Sequence, residues 1–137
     1  MKFVTDVHVR WSDLDVFGHV NNARTLTLLE EARVDWLFDA AARSGADRLT
    51  RGLVVSTLTI SYRRPIGHGS PVTVSMGLSN LAGASFTIDY EVLVDGEVAV
   101  VASSVLVPVD PDTFRPRRLD DDERTFLAPY LASADPA

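Results

Sequence analysis

The chain has 137 residues, 46% of them hydrophobic and none of them cysteine, so it can build a packed core but has no disulfides, thiolate nucleophiles or Cys-based zinc sites. Its net charge of −6 is the wrong sign for a nucleic-acid surface, because phosphate contacts need basic residues. No apolar run approaches the roughly 20 residues of a bilayer-spanning helix, and the alternating, charged start "MKFVTDVHVR" does not read as a signal peptide, so a cytoplasmic protein with no membrane partner is expected.

In chain order, residues 3–11 alternate. Phe3, Val7, Val9 and Trp11 fall on one side and Lys2, Asp6, His8 and Arg10 on the other, the period of a strand with one buried face. Residues 12–22 break that period around Gly18 and form a loop. From residue 23 to about residue 43 there is neither proline nor glycine, and Leu26, Leu29, Ala32, Trp36 and Ala40 recur at helical spacing. Val34, Leu37, Phe38 and Ala41 widen the apolar arc, which predicts a helix ~30 Å long that is wrapped on most sides, with Glu31, Asp35 and Asp39 as its polar stripe. Asn21 or Asn22 can cap its start, and Ser44-Gly45 ends it.

The remainder reads as β. Residues 53–62 are rich in Val, Thr and Ile, and "RRPIGHGSP" is a turn. Val72, Val74, Met76 and Leu78 alternate with polar or small residues, "NLAGAS" turns, and Phe86, Ile88, Tyr90, Val92 and Val94 alternate again. Asp95-Gly96 is a two-residue hairpin signal, and residues 97–109 form a last long strand. A tail with "RPRR" and "DDDE" ends in a short helix over residues 120–131. One strand, a long helix and four strands joined mainly by short turns predict an α+β fold, an antiparallel sheet curved around one helix. A single domain over residues 1–137 is expected, with a C-terminal tail from about residue 120.

The stretch "SDLDVFGHVNNARTLTLLEEARVDWL" resembles the signature of the 4-hydroxybenzoyl-CoA thioesterase-like family of hot-dog-fold acyl-CoA thioesterases, D-x-D-x-x-G-H-V-N-N-x-x-Y ahead of a helix carrying E-E-A-R. "SYRRPIGHGSPVTV" resembles that family's Y-x-R-P turn, and "DPDTFRPRRL" its end. The resemblance implies the hot-dog fold, a homodimer or homotetramer with its site between subunits, and hydrolysis of a thioester without metal or cofactor. Carried over by position, it implies a catalytic carboxylate at Asp15 and backbone N–H donors around Asn22. Two departures stand out. Phe17 occupies the place of an Asn found in the related acyl-carrier-protein thioesterases, although His19 and Asn21 match, and Thr25 occupies the place of the family's Tyr.

The chemistry fits those residues. A helix start offers unpaired N–H groups and a positive dipole end for a developing oxyanion, and Asp15 lies on the loop feeding that start. It can attack the carbonyl or activate a water. His19 is expected to orient the loop, Gly18 to supply a positive φ, and Val20 and Asn21 to line the site. Asp13 reads as a turn-capping acid. Glu30 is an alternative carboxylate, because other hot-dog branches place theirs on the helix, but a buried structural acid is the expected reading. Arg63 and Arg64 are candidate contacts for coenzyme A phosphates, whereas Arg115, Arg117 and Arg118 read as surface charge. His8 is expected to be solvated and His68 to sit in a turn; such scattered histidines make no metal site. No P-loop, G-x-G-x-x-G or serine elbow occurs. An acyl-carrier-protein ester as substrate, or a non-catalytic acyl-binding role, are the rival readings.

Overall fold

The computed structural model describes residues 1–132; the end of the chain included in the expected domain, residues 133–137, lies outside the described residues. The period-two segments become β1 (Phe3–Val7), β2 (Leu53–Tyr62), β3 (Val72–Leu81), β4 (Phe86–Val94) and β5 (Glu97–Pro108). They form one antiparallel sheet in the order β1-β3-β4-β5-β2. Asp95 and Gly96 both take positive φ (52° and 81°), the geometry of a tight hairpin turn between β4 and β5.

Register aligns the apolar positions in rows across the sheet. Val74, Val92, Val100 and Tyr62 form one row, Met76, Tyr90, Ala102 and Ile60 the next, and Leu78, Ile88, Ser104 and Leu58 a third. The expected helix lies on this face. It runs as α1 (Asn22–Arg33), a π-helical stretch (Val34–Ala40) and α2 (Ala41–Arg43), and Gly45 at φ +87° follows its end. Leu28, Leu29, Ala32, Trp36, Leu37 and Ala41 are buried against the sheet. The hot-dog arrangement of a curved antiparallel sheet and one long helix is the one observed.

Four expectations need correction. The first strand stops at Val7 rather than Trp11, which is 80% exposed and begins a 3-10 turn, Trp11–Asp13. Asp13 there accepts the Arg10 amide at 2.9 Å, and this local bond pulls the chain off the strand period. The helix is less wrapped than its apolar spacing implied: Leu26 and Val34 stay exposed. Glu30 is not a buried acid, since its side chain is 72% exposed. Arg117 is not surface charge; its guanidinium forks onto the fully buried Glu123 carboxylate with two bonds of 2.7 Å.

That pair anchors the tail. Asp120 caps α3 (Asp121–Leu127) by accepting the Glu123 amide at 2.8 Å, and Glu123 returns a bond to the Asp120 amide. A 3-10 turn (Ala128–Tyr130) then lays Tyr130 edge-on against Trp36, with ring centres 4.9 Å apart. The expected short helix therefore forms and covers one end of the core. No helix among the described residues is long and apolar enough to cross a membrane.

Candidate active site

The polar block folds into a small stitched loop ahead of α1. The Asp15 amide donates to the His19 carbonyl (2.8 Å) and the Gly18 amide to the Asp15 carbonyl (3.1 Å). Gly18 takes φ +79° with open space around it, so the left-handed backbone rather than crowding demands glycine there. The Val20 amide donates to the Ile66 carbonyl at 2.7 Å, and His19 bridges to Gly67, which ties the loop to the β2–β3 connection. The Asn21 amide donates to the Asp13 carbonyl at 2.9 Å, which sets the entry into the helix.

The two aspartates of the block diverge. Asp13 is 2% exposed and accepts from both the Arg10 amide and guanidinium. The Arg10 guanidinium hydrogen bond holds the Asp13 carboxyl below the usual carboxylate range, against the opposing effect of burial. It is structural, as expected. Asp15 has no cation partner among the described residues; its Oδ1 accepts only the backbone amides of Phe17 (2.9 Å) and His19 (3.4 Å).

Asp15 borders a cleft of about 280 Å³ together with His19, Val20, Asn22, Thr25 and Tyr62. Asn21, not Asn22, is the N-cap, and its Oδ1 accepts the Ala23 amide at 2.8 Å. The Thr25 amide bonds the Asn21 carbonyl. The Asn22 amide has no hydrogen-bond partner among the described residues, so this helix end keeps an orphan donor, and Asn22 lines the same cleft as Asp15. A carboxylate and a helix-terminal N–H on one cleft can hold a carbonyl, stabilise negative charge on its oxygen and deliver a nucleophile.

The other sequence candidates scatter. Arg63 and Arg64 both border the cleft, but Arg64 is paired with Glu97 and only Arg63 is without an ion-pair partner among the described residues. Glu30 lies elsewhere, on a second pocket. His8 and His68 are exposed. Tyr62 was missed as a site residue: its hydroxyl donates to the Asn22 carbonyl at 2.7 Å and braces the helix start against the end of β2. Its place at the head of the "YRRP" segment was the available signal.

Comparison with known proteins follows the same lines. The family model of the Thioesterase-like superfamily matches residues 9–128. The long-chain acyl-CoA thioesterase FadM of Escherichia coli is 34% identical over 125 residues, covering 90% of this chain and 95% of that protein. Among solved structures, a predicted thioesterase of Bacillus stearothermophilus superposes with a TM-score of 0.85 at 26% identity, covering 98% of this chain and 100% of the other. A Thermus thermophilus thioesterase solved with coenzyme A and zinc gives a TM-score of 0.79 at 31% identity, over 93% of this chain and 92% of the other. The match spans the stitched loop, the helix and strands β2 to β5, and the chain belongs to the Thioesterase-like superfamily.

Proposed function

We propose that this chain is an acyl-CoA thioesterase that uses Asp15 and the start of α1. The observation that carries the reading is that Asp15 and Asn22, whose amide has no partner among the described residues, line one cleft. Its likeness to FadM and to a thioesterase bound to coenzyme A supports the substrate class. The thioester carbonyl oxygen accepts the Asn22 N–H. Asp15 either takes a proton from water, whose oxygen attacks the carbonyl carbon, or attacks directly to give an acyl anhydride that water then cleaves. Both routes expel the thiolate, which takes up a proton, and leave a carboxylic acid. An aligned donor of this kind contributes about 10²–10³ in rate. Gly18, His19, Val20 and Asn21 hold the loop, and Arg63, with Arg64 behind its Glu97 pair, serves the coenzyme A phosphates. A cytoplasmic location belongs to the same reading.

The reading includes a homodimer built through β2. This edge strand has ten residues without charge or proline, and Val55 and Tyr62 remain 42% and 43% exposed. Such an edge is a template for another strand. Antiparallel pairing of two copies about the middle of β2 sets the Leu53 end of one beside the Tyr62 end of the other, against the cleft.

Thiol release from a panel of acyl-CoA esters tests the activity: turnover by the native chain and its loss in Asp15→Ala are expected, and equal rates would reject the site. Single turnover in ¹⁸O-water, followed by mass measurement of the protein, separates the routes, since only the anhydride route can leave label in Asp15. Sedimentation of Thr59→Lys, which charges the β2 edge, should show monomer if the dimer forms there.

A further inference from the structure

The bonds that shape the first turn of α1 are local. The Asn21 side chain takes the Ala23 amide at 2.8 Å, and the Asn21 carbonyl takes the Thr25 amide at 3.1 Å. Such bonds fix the form of the turn, but they move with it and do not set where it stands relative to the sheet. Among the described residues, one side-chain hydrogen bond joins that turn to a strand. Tyr62, the last residue of β2, donates its hydroxyl to the Asn22 carbonyl at 2.7 Å. Tyr62 also lines the cleft that Asp15 and Asn22 line. The loop of Asp15 is set against the same stretch of chain, through the Val20 amide on the Ile66 carbonyl and the bridge from His19 to Gly67. That stretch is itself fixed to β5, since the Arg63 and Arg64 amides both donate to the Ala99 carbonyl, at 2.8 and 3.0 Å. Residues 62–67 are therefore the common support of the carboxylate's loop and of the helix start.

A donor contributes to rate only if it stands where the oxyanion forms, and a displacement on the order of 1 Å costs about 10²-fold. The Asn22 amide has no partner among the described residues to hold it, so it takes its position from the carbonyls around it. The Asn21 carbonyl, in the same peptide group, is held from within the helix by the Thr25 amide. The Asn22 carbonyl, in the next, is held from the sheet by the Tyr62 hydroxyl. We propose that Tyr62 is a positioning residue for the hydrolysis: its hydroxyl keeps the Asn22 donor in register with Asp15. The inference rests on the thioesterase reading of the cleft. The hydroxyl, rather than the ring, is the part that acts. A phenylalanine keeps the ring and loses the tether, and a phenolate has no proton to donate and sets a negative charge against a carbonyl oxygen.

Steady-state thiol release from an acyl-CoA by Tyr62→Phe is the test. Its kcat should fall by about ten- to a hundredfold while KM stays within about twofold, the signature of an interaction spent in the transition state. Sedimentation and melting temperature should stay close to native. A native kcat would overturn the proposal, as would a loss that merely follows lost folded protein or a changed assembly. Exchange of the Ala23 amide, measured without substrate, should be faster in the variant, because the turn is freed from the sheet; unchanged exchange would count against the tether. Replacing Tyr62 by 3,5-difluorotyrosine keeps ring and hydroxyl but lets the hydroxyl ionise at lower pH. That chain should match the native kcat in acid and lose it on the alkaline side at a lower pH than the native chain does. A pH profile identical to native would sink the role of the hydroxyl, and this comparison decides even if Tyr62→Phe fails to fold. No thiol release from any ester by the native chain would remove the thioesterase reading and this inference with it. Native turnover with kcat unaltered in Tyr62→Phe would remove this inference alone.

Discussion

The loop before α1 and the tail around α3 are built from the same parts. Each pairs an arginine with a carboxylate taken out of water, Arg10 with Asp13 and Arg117 with Glu123, and each caps a helix with a side-chain oxygen, from Asn21 and Asp120. The tail then closes every bond: Glu123 receives both Arg117 contacts and the Asp120 amide, while Asp120 also meets Arg48. The loop does not. Among the described residues it leaves Asp15 without a cation and the Asn22 amide without an acceptor, at the wall of a cleft. Where charges are matched, the structure is being held; where an acid and a donor are left over together, chemistry has room.

That contrast is sharpest in an exchange of Asp15 for Asn. The amide oxygen can still accept from Phe17 and His19, so thermal stability should hold while thiol release falls by about 10³-fold, within the range of a lost general base; a large drop in melting temperature would instead make Asp15 a structural acid like Asp13. Glu123→Ala should do the reverse. It strands a largely buried guanidinium, and breaking a buried pair costs about 3–5 kcal/mol, so denaturant melts should shift strongly while the remaining folded fraction keeps its turnover. Loss of turnover beyond loss of folded protein would break the division between the two regions.

Smaller effects refine it. Asn21→Ala removes the α1 cap and should cost about 1 kcal/mol in denaturant melts, with some loss of rate because the cap positions the Asn22 donor. Asp13 should be visible through acid. Its carboxyl is held below its ordinary value by Arg10, so its contribution to stability is complete above about pH 4 and fades as pH falls through the lower folded value. Melts at descending pH should show less acid sensitivity in Asp13→Asn than in the native chain; the effect is modest, since Arg10 is half exposed and solvent-screened. Least of all, Arg63→Ala should raise KM for an acyl-CoA a few-fold, within the worth of an exposed charge contact, and the difference should shrink with added salt.

Periodicity and turn chemistry are properties of the local chain, and they were legible residue by residue. Alternation along β3 and β4, the Asp95-Gly96 turn, the unbroken helix former run and the crowd of polar residues before it all follow from backbone geometry within a few positions. Such patterns carried the fold and the family resemblance, and it was the resemblance that implied Asp15 as the carboxylate. They could not say which groups would meet across distance. Tyr62 reaches Asn22 over 40 positions and Arg33 reaches Tyr90 over 57, and both contacts exist only because the sheet order places β2 at an edge and β4 beneath the helix. Glu30, Leu26 and Val34 are exposed, where the reading of the sequence had put them inside. Burial and pairing are decided by what packs opposite, and a single chain of letters does not carry that distance.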